Sequence, residues 1–122
     1  MKKLQRFKNK VMIIIEIINK DGKIKKFKVT GHAGLALSGQ DIVCAGISAI
    51  VQTAIIGLDE YLKTDFDCKQ SEGRLEVNIN KPDEHTEIIL MTMYYGLREI
   101  EKIYPKNVNM GNIKIKNGNL MR

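Results

Sequence analysis

The sequence predicts an α+β fold, a small single-layer and mostly antiparallel sheet with two helices packed on one face, in the order β-β-α-β-β-α-β. Short apolar runs occur in pairs around turn residues such as Asp21-Gly22, which is typical of hairpins. Two longer segments repeat their apolar residues at helical spacing. The 122 residues, 43% of them hydrophobic, suffice for one core. We expect a basic, flexible lead-in over residues 1–10 and a single domain over residues 11–122.

The first two strands are predicted to form a hairpin. The segment Val11 to Ile18 is apolar at nearly every position, which indicates a central strand covered on both faces. Asn19 to Gly22 supplies residues that tolerate a tight turn. Lys23 to Thr30 then alternates apolar and polar residues, as expected for the returning strand.

The first helix is predicted to begin after Asp41, which has the residue type and position of an N-cap, and to run to Tyr61 or Leu62. No charged side chain occurs between Ile42 and Leu58. A helix this apolar is not expected to be half exposed, so it must lie in the domain core or in a homodimer interface. The sequence leaves both possibilities open.

The second half of the chain repeats the pattern of a strand pair followed by a helix. Strands are predicted at residues 65–69 and 75–79, around a turn that contains Gly73. Pro82-Asp83 is typical of a helix start, and Pro105 of a helix end, which places the second helix at residues 86–104. A weaker strand is predicted at residues 108–115.

The net charge of +6 is concentrated in the first thirty residues, where ten lysine and arginine residues face two acidic ones. This asymmetry makes an alternative function possible, in which the protein is a non-enzymatic basic module that binds RNA or a ribosomal surface. A solvated tail and hairpin face is the simpler interpretation, and we favour it. The run Val11 to Ile18 is too short for a membrane span and the start of the chain is a poor signal peptide, so we expect no membrane partner and a cytoplasmic location.

A candidate catalytic pair stands out in the segment between the first hairpin and the first helix. His32 ends the second predicted strand, and Cys44 would occupy the third helical position if Asp41 is the cap. Unpaired N–H groups and the helix dipole at that position favour a thiolate, and a neighbouring imidazolium would favour it further. The thiolate is the nucleophilic form of cysteine. The alternative is a cysteine that only packs in an apolar helix.

The remaining cysteine and histidine are weaker candidates. Cys68 lies in a strand without a nearby histidine in sequence, so we interpret it as structural or incidental. His85 precedes the second helix in a polar stretch, and we expect it to be exposed. The spacing of His32, Cys44, Cys68 and His85 does not match a zinc site, and no phosphate-binding motif is present. We therefore expect no metal and no cofactor.

The run Gly31-His32, a short glycine-containing loop, Asp41-Ile42-Val43-Cys44 and then Ser48 resembles the ribosomal-processing cysteine protease family, Prp. The eleven-residue gap between His32 and Cys44 is the one that the family shows. The order of the flanking strands and helices agrees with the family over nearly the whole chain.

The resemblance implies a cytosolic endopeptidase that removes the N-terminal extension of a large-subunit ribosomal protein, number twenty-seven, during ribosome assembly. It implies that Cys44 is the nucleophile and His32 its base, and that the protein is a homodimer. The supporting positions would be Gly31, Asp41 and Ser48, and the loop facing the substrate would include Ala33, Gly34 and Gly39. Asp41 could cap the helix or orient His32; we favour the cap.

Overall fold

The computed structural model describes residues 12–31 and 38–111. Five strands form one sheet in the spatial order β3-β4-β2-β1-β5, in which only the β1–β5 pair is parallel. The strands are β1 (Ile13–Lys20), β2 (Lys23–Thr30), β3 (Phe66–Ser71), β4 (Arg74–Ile79) and β5 (Val108–Asn109). The helices are α1 (Ser38–Ile56), which continues as a π-helical turn over Gly57–Tyr61, and α2 (Glu84–Ile103). The predicted α+β class and element order are confirmed.

The two ends of the chain fall largely outside this description. The basic lead-in predicted over residues 1–10 lies outside the described residues. The last strand was predicted over residues 108–115. It ends at Asn109, after Val108 and Asn109 pair with Ile13 and Ile14 of β1, and Met110 and Gly111 are not part of it. Residues 112–115 lie outside the described residues.

The β1–β2 hairpin turns at Asp21-Gly22, as predicted. Both residues have a positive φ, of 56° and 83°, which is the backbone conformation that a two-residue hairpin turn requires. A bulge between Ile18 and Asn19 shifts the register, so that Ile24 and Phe27 are both fully buried although they are three residues apart.

The prediction that β1 is covered on both faces is wrong. Ile13 and Ile15 are buried in the core, whereas Ile14 and Ile18 are 42% and 43% exposed. Both helices lie on the same side of the sheet, so one face has no covering layer within the described part of the chain. On that open face lysines pair with carboxylates, at 3.0 Å for Lys26–Glu76 and 3.6 Å for Lys28–Glu16, and the face is therefore not uniformly basic.

The start predicted for the first helix is also wrong. Helix α1 begins at Ser38, so Asp41 lies inside its first turn and is not the N-cap. An acidic residue is favourable throughout the first turn as well as at the cap, so the residue type alone did not fix the start. Cys44 is therefore the seventh residue of the helix, beyond the four unpaired N–H groups at its beginning. The helix terminus therefore does not stabilise a thiolate at Cys44.

Helix α1 is half exposed in the single chain, so the domain core alone does not cover it. Val43, Ile47 and Val51 are buried against the sheet, but Ile42 and Ile56 are 66% and 57% exposed. By length and composition alone, residues Ile42–Tyr61 could cross a membrane, with a mean hydropathy of 1.8. A single helix of this kind is weak evidence, because core helices of soluble proteins meet the same criterion.

Helix α2 begins at Glu84, directly after its cap residue Asp83. The Asp83 carboxylate accepts hydrogen bonds from the N–H groups of His85 and Thr86, both at 2.9 Å, and the Thr86 hydroxyl accepts from the N–H of Asp83. This capping box begins the helix two residues earlier than predicted. Its apolar stripe, which includes Leu90, Met93 and Leu97, is buried in the core shared with α1 and the sheet.

Candidate active site

Cys44 lines a cavity of about 160 Å³ at one end of the sheet. Helix α1 contributes one wall, the end of β2 contributes Gly31, and the β3–β4 hairpin contributes the wall opposite the helix. Apolar side chains of the core, among them Ile13, Val29 and Leu75, form the floor. The cavity is small and largely apolar, which limits the water around a reacting group.

Cys44 and Ser48 lie on the same side of α1, because residues four positions apart are neighbours on a helix. Both line the cavity; the Cys44 side chain is half buried and Ser48 is exposed. Cys44 is a thiol and not part of a disulfide. The helix thus places a sulfur at the wall of a cavity where a substrate atom can approach it.

Gly31 is held where no other residue fits. Its φ is +93°, and a Cβ atom there would overlap the carbonyl oxygen of Met12. Its N–H donates a 3.1 Å hydrogen bond to the carbonyl oxygen of Gly73, in the turn between β3 and β4. These contacts fix the direction in which the chain leaves β2, one residue before His32.

The structure brings together three of the residues singled out from the sequence, Gly31, Cys44 and Ser48, around one cavity. His32, Ala33 and Gly34 lie outside the described residues. Gly39 and Asp41 lie in the first turn of α1. The pairing of Cys44 with His32 therefore stays a prediction, as do the roles of the supporting residues.

Several residues of the cavity were missed at the level of sequence. Gln70, Gly73 and Arg74 are far from Cys44 in the chain and follow no recognisable motif. They reach the cavity because β4 pairs with β2, with Arg74 opposite Thr30. Only knowledge of the strand order could have found them.

The other two candidates lie apart from the cavity. Cys68 is on β3, opposite Val77 of β4, and partial burial raises the pKa of its thiol although the residue is largely exposed. His85 is exposed at the start of α2, as predicted. Neither residue lines the cavity that contains Cys44.

A larger groove, of about 590 Å³, lies between the outer sides of α1 and α2. Its lining includes Ile50, Ile88, Ile89 and Met93, and the polar side chains in its described lining are those of two threonines. No titratable side chain lines it among the described residues. The larger groove is therefore suited to contact with an apolar surface, whereas the smaller cavity contains the thiol of Cys44.

Comparison with known proteins relates this chain to cysteine proteases. The family model described as "Cysteine protease Prp" matches residues 12–109. The ribosomal processing cysteine protease Prp of Staphylococcus aureus is 33% identical over 104 residues, which cover 81% of this chain and 97% of the relative. The protein of the same name from Bacillus subtilis is 51% identical over a shorter stretch of 35 residues, which covers 29% of this chain and 31% of the relative.

Solved structures give the same result. The crystal structure of the S. aureus protease in complex with a substrate peptide has a TM-score of 0.76 and 27% identity, and covers 82% of this chain and 98% of that one. A second structure of that protease, with a covalently linked product peptide, has a TM-score of 0.72. The fold and the thiol-lined cavity define a cysteine-type endopeptidase. Within that class, the chain belongs to the cysteine protease Prp family.

Proposed function

We propose that this enzyme removes the N-terminal extension of a large-subunit ribosomal protein, number twenty-seven, during ribosome assembly in the cytoplasm. The observation that carries the proposal is the position of Cys44 at the cavity, within a chain that matches the family model from β1 to β5. The S. aureus relative is named as a ribosomal processing protease, and its structure holds a substrate peptide. An N-terminal extension is a flexible peptide that can enter so small a cavity.

In the proposed mechanism Cys44 is the nucleophile and His32 is the general base. His32 accepts the thiol proton, and the Cys44 sulfur attacks the carbonyl carbon of the scissile peptide bond. The tetrahedral intermediate collapses to a thioester as His32 returns the proton to the leaving amine. A water molecule then attacks the thioester, which releases the carboxylate and restores the thiol.

The neighbours of Cys44 support this chemistry through position. Gly31 sets the path of the chain immediately before His32, because its backbone is fixed by Met12 and by the hydrogen bond to Gly73. Ser48 lies one turn from Cys44 along the same side of α1, where it shapes the cavity beside the sulfur. Asp41, in the first turn of α1, is a candidate to orient His32.

The direct test incubates the purified enzyme with the ribosomal protein that carries its extension, and measures the products by mass spectrometry. We expect one cleavage that separates the extension from the mature protein. Cys44→Ala should abolish it, because the described lining of the cavity contains no second thiol. Cys68→Ala is the matched control, since it also removes a thiol, and should still cleave. An intact substrate, or equal cleavage by the Cys44→Ala variant, would refute the proposal.

We also propose that the enzyme is a homodimer formed through the outer sides of α1 and α2. The groove between the helices is apolar, and Ile88, which lines it, is 65% exposed. Ile56 of α1 is also exposed, at 57%. Apolar surface of this extent is costly in water and is characteristic of a permanent interface. A second copy presents the same apolar face, as a twofold interface requires.

The dimer is tested with Ile88→Glu, which places a charge in the apolar lining of the groove. We expect the variant to sediment as a monomer at concentrations where the unmodified enzyme is a dimer. Ile18→Glu is the matched control, because Ile18 is also exposed but lies on the open face of the sheet. A monomeric unmodified enzyme, or an Ile88→Glu variant that remains dimeric, would contradict the proposal.

A further inference from the structure

Strand β3 forms one edge of the sheet, and its outer side has no partner strand among the described residues. Its register with β4 is regular over all six residues, from Phe66 opposite Ile79 to Ser71 opposite Arg74, without a bulge. The strand contains no proline. The opposite edge, β5, has two residues in the part of the chain that the structure describes.

The backbone groups that β3 directs outward follow from the register. The N–H of Asn80 donates to the carbonyl oxygen of Asp65, so the backbone groups of residue 65 point towards β4. In an antiparallel pair the direction alternates at every residue. Asp67, Lys69 and Ser71 therefore bond to β4, and Phe66, Cys68 and Gln70 direct their N–H and C=O groups outward. None of these three outward pairs has a hydrogen-bond partner in the described part of the chain.

An edge of this kind is unusual, because proteins commonly block long regular edges with proline, a bulge or a covering segment. Asp67 and Lys69 place charged side chains on the open face of β3, and these do not cover its outward backbone groups. The edge is thus accessible to a single extended peptide. Peptides bind in this way when main-chain hydrogen bonds supply affinity and alternate side chains supply specificity.

The edge leads directly into the cavity of Cys44. Gln70 and Ser71, at the end of β3, line that cavity, and the side chain of Gln70 is on the helix-covered side of the sheet, opposite the buried Leu75. From Phe66 to Gln70 the strand extends about 13 Å, at roughly 3.3 Å per residue. A peptide of four or five residues could therefore pair with the edge while its next residues reach the sulfur.

We infer that the substrate peptide adds to the sheet as a sixth strand along β3, hydrogen-bonded to Phe66, Cys68 and Gln70, and that this pairing places its scissile bond at Cys44. The inference rests on the proposed function, because it names the surface that holds the extended segment of the ribosomal precursor. The pairing selects an extended backbone, and the side chains of the cavity then select the residues beside the scissile bond.

Hydrogen exchange gives the first test, with the inactive Cys44→Ala enzyme and a synthetic peptide that spans the cleavage site. Exchange at the amides of Phe66, Cys68 and Gln70 should slow at least tenfold when the peptide binds. The amides of Asp67 and Lys69, already bonded to β4, are the internal control and should change little. Protection confined to other segments, with β3 unchanged, would overturn the inference.

Kinetics give the second test. Cys68→Pro removes one outward N–H without removing a bond to β4, and an edge strand tolerates proline at such a position. Its KM should be about fivefold above that of Cys68→Ala, which keeps the amide, with similar kcat values. Equal KM values in folded variants would count against β3 as the docking edge.

A scan of N-methylated peptides tests the pairing without altering the enzyme. Methylation should raise KM at every second peptide residue, because alternate amides of a paired strand face the neighbouring strand. A uniform response along the peptide would overturn the inference. If the enzyme cleaves the precursor but these patterns are absent, only the inference fails; if it does not cleave the precursor, the proposed function fails.

Discussion

The two ends of the sheet are held together in different ways. At the end with the β1–β2 turn, side chains make the connections: the N–H of Ile24 donates to Glu87 of α2 at 2.8 Å, and the Lys25 ammonium donates to the carbonyl oxygen of Ile79 at 2.6 Å. At the end with Cys44, backbone groups connect the strands, from Gly31 to Gly73 and from Ile13 to Asn107. This second end contains the cavity lined by Cys44.

The two ends of the sheet therefore differ in role: the turn end stabilises the fold, and the other end contains the candidate active site. Side-chain hydrogen bonds and the capping box fix α2 on the hairpin, so the turn end can be rigid without regard to a substrate. At the cavity end the connections run through backbone groups, and Ser48 and Gln70 line the cavity beside Cys44. Substitutions at the two ends should therefore have different consequences, and three experiments measure the difference.

The largest effect is expected from a pair of glycines with the same backbone conformation. Gly31 and Gly22 have φ values of +93° and +83°, but a Cβ at Gly31 would overlap Met12 whereas one at Gly22 meets nothing within 4 Å. Gly31→Ala should lose on the order of 3 kcal/mol of stability and roughly tenfold to hundredfold in kcat/KM. Gly22→Ala should lose about 1 kcal/mol and keep its activity. Equal effects in denaturant unfolding and peptide cleavage would show that the two ends do not differ.

The second experiment compares the two thiols by their rates of alkylation with iodoacetamide at slightly acidic pH. Burial raises the pKa of Cys68, which keeps that thiol protonated and slow to react. Cys44 should react much faster if His32 stabilises its thiolate, and His32→Ala should remove the advantage. Equal, slow labelling of both cysteines would contradict the proposed pair.

The smallest effect on activity is expected at the turn end, from Asp83→Ala. Loss of the capping box should lower the midpoint of thermal unfolding, while kcat and KM stay close to those of the unmodified enzyme. Asn at this position is the matched control, because Asp83→Asn keeps an acceptor for the N–H groups of His85 and Thr86. Reduced cleavage by folded Asp83→Ala would show that the cap also serves the active site.

The same residue gives a pH dependence. Hydrogen bonds from the N–H groups of Thr86 and His85 lower the pKa of Asp83 in the folded enzyme. Its stabilising contribution is therefore complete above the unfolded value of about 4 and is lost as the pH falls through the lower, folded value. The gap in unfolding midpoint between Asp83→Ala and the unmodified enzyme should narrow below about pH 4. A gap that stays constant into that range would contradict this role for the carboxylate.

Errors in prediction from the sequence occurred where neighbouring elements decide the outcome. The isoleucines of β1 indicated two covered faces, but whether a second layer exists depends on where both helices pack. The acid at position 41 indicated a helix start, but residues from Ser38 onward also adopt the helix. Gln70 and Arg74 could not be predicted as cavity residues, because their distance from Cys44 in sequence contains no information on strand order.

Local chemistry was determined by the sequence itself. Alternation and helical spacing defined the elements, Asp21-Gly22 and Asp83 defined a turn and a cap, and the spacing of Gly31, His32, Cys44 and Ser48 identified the family, because each depends on residues close together in the chain. Tertiary structure decided which surfaces meet. The sheet order brings the β3–β4 hairpin to Cys44. The packing of both helices on one face leaves the outer sides of α1 and α2 and the edge of β3 uncovered in the described part of the chain. Such contacts join distant residues, and their free energy depends on the whole fold.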